Sequence, residues 1–164
     1  MKRVVHFVLI GFCTAGLALS ATGAAEKSAE MLERDYQKQN NPRKQANIAR
    51  KLIVQRLEQL HTRIGTGLML EKSSPELAHY QAAVKMLGAA VRKASDNGTS
   101  KNAEKSLRDQ SHELDDLKMR VSAGERTLVD RLLTQVSDLR EEILYGLMLP
   151  PPEETKDEKE SAQK

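Results

Sequence analysis

The spacing of apolar side chains is the feature that most constrains how this chain can fold. Between positions 42 and 149, apolar residues recur at intervals of three and four, and nowhere do they alternate as in a β-strand. Intervals of three and four place side chains on one face of an α-helix. The sequence therefore predicts an all-α fold, a bundle of about four main amphipathic helices arranged as helical hairpins, with no β-sheet.

Local capping signals divide this region into helices. The Asn-Pro pair at 41–42 and the Ser-Pro pair at 74–75 are typical of an N-cap followed by proline at the first helical position. The segment 122–125 has the spacing of a capping box. We expect a polar first helix that makes its apolar contacts through Met31, Leu32 and Tyr36. The later helices are predicted over 42–64, from 75 to a break at Gly98, from about Asn102 to 121, and from there to 149.

The first 25 residues have the order of a bacterial secretory signal. Two basic residues at 2–3 precede an apolar run over 4–19, and small residues follow over 20–25. This pattern predicts a signal peptide over 1–25 with cleavage after Ala24 or Ala25, and a periplasmic or secreted protein. Two alternatives stay open. An uncleaved leader would anchor the chain in the membrane, and Cys13 could be lipidated, although bulky Phe12 stands where a lipidation signal has a small residue.

Composition separates a helical domain from a tail. Residues 26–149 carry the periodic apolar pattern and form the predicted helical domain. Residues 150–164 contain three prolines, dense mixed charge and no large apolar side chain. Such a segment cannot bury enough apolar surface to offset the entropy of ordering, so we predict a disordered charged tail over 150–164.

The residue types left after the leader restrict the possible functions. The single cysteine lies in the leader, and the remaining chain has three tyrosines as its only aromatic residues. Pockets for small molecules are usually lined by aromatic and apolar groups, and single-stranded nucleic acid stacks on aromatic rings. No phosphate-binding loop or nucleophile elbow is present. The sequence therefore predicts no enzyme, no catalytic residue, no cofactor and no nucleic-acid partner.

Three histidines offer a candidate metal site. His61, His79 and His112 each follow a carboxylate by three residues. Glu-x-x-His pairs that point inward bind metal ions in ferritin-like bundles, and histidines from several helices could bind zinc or copper. These pairs, however, lie beside the apolar stripes rather than on them. We therefore interpret them as solvated pairs and predict no metal site. The alternative function is a small periplasmic metal- or stress-responsive helical protein that uses these surface histidines.

Two further features could form binding surfaces. A basic cluster on the second helix indicates either a solvated face or a patch for an anionic polymer or lipid; it comprises Arg43, Lys44, Arg50, Lys51, Arg56 and Arg63. The loop "GTGLML" places Leu68, Met69 and Leu70 outside any predicted helix. These apolar residues either close the end of the bundle or form an exposed patch that binds a partner.

The order of three helical segments resembles that of helical domains of unknown function in exported and cell-envelope bacterial proteins. The segments are "ANIARKLIVQRLEQL", "ELAHYQAAVKMLGAAV" and "LRDQSHELDDLKMRVSAGERTLVDRLLTQVSDLREEI". This resemblance implies a helical fold and an envelope location, and it assigns no activity or functional residue. We predict an exported helical interaction or scaffold protein that binds a protein partner or self-associates, with membrane contact only through an uncleaved leader.

Overall fold

The structure, a computed structural model, describes residues 15–149 and the side chains of residues 26–149. It contains the α-helices α1 (Ala15–Lys38), α2 (Pro42–Gly65), α3 (Pro75–Ala94), α4 (Asn97–Arg120) and α5 (Ala123–Met148). The described part of the chain has no β-strand. The prediction of an all-α helical bundle is therefore confirmed.

The predicted terminal segments lie largely beyond what the structure describes. Positions 1–14 of the predicted signal peptide and the whole predicted tail over 150–164 lie outside the described residues. Helix α1 begins at Ala15 and runs through the predicted cleavage positions Ala24 and Ala25. Among the described residues, no helix combines the length and apolar character needed to cross a bilayer.

Helices α2 to α5 form a four-helix bundle, and α1 packs along the outside of α2. Both α2 and α5 pack against α3 and α4. An ion pair between Arg63 near the end of α2 and Glu76 at the start of α3 shows that this hairpin is antiparallel. Lys118 and Asp130 make the equivalent pair between α4 and α5. The fold therefore consists of two antiparallel hairpins with a fifth helix added to one of them.

Helices α2 and α4 lie side by side in the same direction. At their starts, Arg43 of α2 pairs with Asp96, the residue before α4, with 3.1 Å between Nε and Oδ2. Towards their ends, His61 of α2 faces Glu113 of α4, with 3.9 Å between Nε2 and Oε2. The two helices are therefore neighbours both at their starts and towards their ends.

The predicted caps occur in the structure, with one difference in chemistry. The Asn41 side chain accepts hydrogen bonds from the Arg43 and Lys44 backbone N–H groups at 3.0 and 3.3 Å. Ser74 occupies the N-cap position of α3, but its hydroxyl accepts from the Glu71 N–H at 2.9 Å instead of capping the helix. The proline after Ser74 removes one donor that a cap would otherwise satisfy.

The predicted start of the fourth helix was wrong. Helix α4 begins at Asn97 rather than near Asn102. Gly98 lies within its first turn and does not separate two helices. The cause is Asp96, whose side chain accepts from the Thr99 N–H at 2.9 Å and caps the helix one residue before "NGT". This hydrogen bond holds the pKa of Asp96 below its usual value.

The apolar stripes meet in one core that extends over all the helices. Tyr80 lies fully buried in this core, and its hydroxyl donates to Gln110 Oε1 at 3.3 Å. Burial raises the pKa of Tyr80 far above its usual value, so this phenol stays neutral. In α1, Tyr36 is buried and Leu32 half-buried as predicted, whereas Met31 is exposed, so its predicted core contact was wrong.

Helix α3 ends at a position that favours glycine. Ser95 has φ +48°, in the left-handed region where a β-carbon is unfavourable. We expect Ser95→Gly to raise the free energy of unfolding by about 0.5 kcal/mol, because the relieved strain exceeds the lost hydroxyl bond to the Arg92 carbonyl. Ser111→Gly is the matched control, since Ser111 makes the same kind of bond to Leu107 inside α4. At position 111, inside a helix, glycine should lower the urea midpoint of unfolding. If both glycine variants changed the urea midpoint in the same direction, the prediction would be contradicted.

Candidate functional site

The loop between α2 and α3 begins with an ordered helix end. The Gly67 N–H donates to the Ile64 carbonyl at 3.0 Å, and the Leu68 N–H donates to the Arg63 carbonyl at 3.2 Å. Gly67 has φ +76°, a conformation that a residue with a β-carbon rarely adopts. The chain therefore leaves α2 in a defined direction rather than fraying.

Leu70 fixes the middle of this loop to the other hairpin. Its side chain is buried, and its backbone N–H donates to the Glu125 carboxylate at 2.6 Å. The same carboxylate accepts from the Ser122 N–H at 2.9 Å and from the Ser122 hydroxyl at 2.6 Å. The Ser122 hydroxyl and the Leu70 and Ser122 N–H groups lower the pKa of Glu125 because they stabilise the charged carboxylate. The capping box of α5 thus also anchors the loop.

A second contact fixes the residue before Leu70. The Arg63 Nε–H donates to the Met69 carbonyl at 3.0 Å, while the same guanidinium binds the Glu76 carboxylate at 3.1 and 3.2 Å. Arg63 is therefore held by α3 and in turn holds the loop. Of the two interpretations of the basic cluster, the pairing with Glu76 disfavours the anionic-ligand patch at Arg63.

Leu68 and Met69 project outward from this fixed backbone. Leu68 is 56% exposed and Met69 is 64% exposed. We call these two residues the apolar tip. The two sequence hypotheses for this loop each apply to part of it, because Leu70 closes the bundle end while Leu68 and Met69 form an exposed patch. Met119, in the last turn of α4 at the same end of the bundle, is also exposed.

A groove between α2 and α4 is the second candidate surface. Two stretches of about 360 Å³ each meet at Val54, which is 52% exposed. We call this feature the α2–α4 groove; its first stretch is lined by Asn47, Arg50, Lys51, Val54 and Ser106, and its second by Val54, Leu57, Glu58, His61, Asp109, Gln110 and Glu113. In both stretches one polar atom is buried without a hydrogen-bond partner among the described residues, Arg50 Nε in the first and His61 Nε2 in the second.

One member of the basic cluster is buried, which the sequence did not predict. Arg56 is 1% exposed, and it binds Glu33 at 2.6 Å and Glu26 at 3.0 Å, both on α1. Burial alone would lower the pKa of Arg56, but the hydrogen bonds that its guanidinium donates to Glu33 and Glu26 outweigh this effect and raise the pKa. Arg56 therefore joins α1 to α2 and is not available to an anionic ligand.

The three histidines lie apart in the structure. His61 lies at the end of α2, where burial and then the nearby Arg120 lower its pKa. His79 of α3 lines a groove towards α1, and His112 is exposed on α4. Within the described residues, no group of three or more histidine, cysteine, aspartate or glutamate side chains is placed to hold a metal ion. The metal-responsive alternative stays a prediction.

Comparison with protein families, with curated proteins and with solved structures finds no match to this chain. The resemblance to exported helical domains therefore stays a prediction as well. The geometry of the apolar tip and of the α2–α4 groove is the remaining basis for inferring function.

Proposed function

We propose that this chain is an exported helical interaction protein that binds a protein partner through the apolar tip. The observation that carries the proposal is the exposure of Leu68 and Met69 on a backbone that Arg63 and Glu125 hold in place. Contiguous exposed apolar surface tends to mark contact sites, and Leu68 and Met69 are adjacent in the loop. A loop that is ordered before binding loses less entropy when its partner arrives.

The tip defines what its partner must offer. Complete burial of a fully exposed leucine or methionine side chain contributes about 1.5–3 kcal/mol. Because Leu68 is 56% exposed and Met69 is 64% exposed, the tip supplies roughly 2–4 kcal/mol before the costs of association. That amount suits an anchor that fills an apolar pocket, with the surrounding contacts excluding water. The methionine adds flexibility, because its unbranched side chain adapts to irregular cavities. The complementary surface is therefore a small apolar pocket on another protein.

Export is the part of the proposal that rests on the leader. The basic, apolar and small segments of residues 1–25 support it. We expect protein isolated from the cell envelope to begin at Ala25 or Glu26, which intact-mass measurement detects directly. Protein that retains Met1 in that fraction would contradict cleavage and favour the membrane-anchor alternative.

Photo-crosslinking at the tip tests partner binding. We expect a photo-reactive amino acid at position 69 to form a specific crosslink to a partner protein in the cell envelope. The same substitution at position 31 should form none, because Met31 lies on α1, away from the tip. Met31 is a matched control, since it is 62% exposed against 64% for Met69. Equal crosslinking at both positions, or none at position 69, would contradict the proposal.

A further inference from the structure

The α2–α4 groove changes charge along its length. In α2, Arg50 and Lys51 lie about one turn before Val54, and Glu58 lies one turn after it. In α4, Asp109 and Glu113 add further negative charge to the Glu58 end. Because α2 and α4 run in the same direction, these charges reinforce one another. The groove is therefore basic at one end, acidic at the other, and has an exposed valine between them.

We infer that a second copy of this chain binds in this groove, with the two α2 helices antiparallel and Val54 at the two-fold axis. Arg50 and Glu58 are each four residues from Val54, on opposite sides. A two-fold axis at Val54 therefore places Arg50 and Lys51 of each copy against Glu58 of the other. Such an isologous contact is closed, because each half of the groove finds its complement in the other copy.

The size and polarity of the surface indicate a weak dimer. Helices of 24 residues are about 36 Å long, so a face two helices wide offers roughly 700 Å² per copy, near the lower range of specific interfaces. Val54 is the exposed apolar residue in the groove, and the charge pairs set register and association rate more than affinity. We expect a dissociation constant on the order of 0.1 mM that rises with salt.

This pairing goes beyond the proposed function and does not depend on it. The apolar tip lies past the end of α2, outside the groove. An antiparallel pair places the two tips at opposite ends of the dimer. The dimer would thus present two identical binding sites and act as a bivalent scaffold.

Sedimentation equilibrium of the purified protein tests the pairing. We expect the wild type to dimerise at low ionic strength and to dissociate at high salt. Val54→Lys should weaken the dimer at least tenfold, because it places two like charges at the two-fold axis. Lys51→Glu and Glu58→Lys should each weaken it likewise, whereas an equimolar mixture of these two variants should restore dimers by pairing opposite charges again.

Two controls separate loss of dimerisation from loss of folding and from loss of tip binding. Circular dichroism must show unchanged helicity, which we expect because all three substituted side chains are exposed. The tip variant Leu68→Ser/Met69→Ser should dimerise like the wild type, so a failure of tip binding would leave this inference intact. A wild type that stays monomeric at millimolar concentration, a Val54→Lys protein that still dimerises, or a mixture that fails to restore dimers would overturn the inference.

Discussion

Glu125→Ala should lower the free energy of unfolding by about 3 kcal/mol. The substitution removes the capping box of α5, which contributes about 1 kcal/mol, and leaves the buried Leu70 N–H without an acceptor, which costs roughly 1–3 kcal/mol more. Urea denaturation measures the change. Because Glu125 also anchors the loop that presents the apolar tip, hydrogen exchange at Leu70 should accelerate in the same variant.

The control for this variant is a glutamate on the same helix that makes no such contact within the part of the chain that the structure describes. Glu141 is exposed on α5, and Glu141→Ala should change the free energy of unfolding by no more than about 0.5 kcal/mol. Glu125→Gln should lie between the two, because its amide oxygen still accepts one of the hydrogen bonds. If Glu125→Ala were no more destabilising than Glu141→Ala, the anchoring role of Glu125 would be wrong.

The same carboxylate predicts a dependence of stability on pH. The pKa of Glu125 in the folded protein lies below its ordinary value of 4.5. A group whose pKa is depressed by folding stabilises the native state above its unfolded pKa, and that contribution is lost as the pH falls through the folded pKa. The stability difference between wild type and Glu125→Gln should therefore be largest near neutral pH and shrink below pH 4.5. A difference that grows on acidification would contradict this assignment.

The double variant Glu26→Gln/Glu33→Gln should also destabilise the protein strongly. It leaves the Arg56 guanidinium buried between α1 and α2 without a counter-charge, a change that costs about 3–5 kcal/mol in buried pairs. The decrease in stability cannot exceed the free energy with which α1 packs on α2, because detachment of α1 returns Arg56 to water. We therefore expect rapid hydrogen exchange throughout α1 while α2 to α5 stay protected.

Removing the other partner should have a smaller effect. Arg56→Met deletes the buried charge and leaves Glu26 and Glu33, which are partly exposed and can remain hydrated. Replacing a buried charge by an apolar side chain of similar length is often close to neutral. We expect a loss below about 1 kcal/mol. A larger loss for Arg56→Met than for the double glutamine variant would contradict this description of the α1 contact.

The fold could be predicted from the sequence because its determinants are local. Apolar residues at intervals of three and four placed Leu77, Tyr80 and Val84 on the buried face of α3. The Asn-Pro pair at 41–42 and the capping box at 122–125 positioned the starts of α2 and α5. Each of these signals acts within one or two helical turns, so a single sequence contains it in full.

Contacts between distant segments were the part that could not be predicted. Arg56 appeared as one of several basic residues on a helix, because its partners Glu26 and Glu33 lie on a different helix. The spacing of seven between these glutamates, which places them on one face of α1, was the available signal. The start of α4 was missed for a simpler reason, since Asp96 caps one residue ahead of a glycine that suggested a turn.

The candidate site was also predictable in its local features and not in its contacts between distant segments. Its apolar residues were visible in the loop sequence, but which of them point outward depends on Glu125, a residue 55 positions after Leu70. The groove was not predicted, because it requires α2 and α4 to be parallel neighbours. What the sequence did provide was the charge order along α2, with Arg50 and Lys51 before Glu58.

The measurement that most directly tests the central claim is the affinity of the partner that crosslinks at position 69. Isothermal titration of that purified partner should show about a hundredfold weaker binding for Leu68→Ser/Met69→Ser than for the wild type, as expected for loss of an apolar anchor. Met31→Ser should bind like the wild type. Equal affinity for the wild type and the tip variant would contradict the claim that this protein acts through its apolar tip.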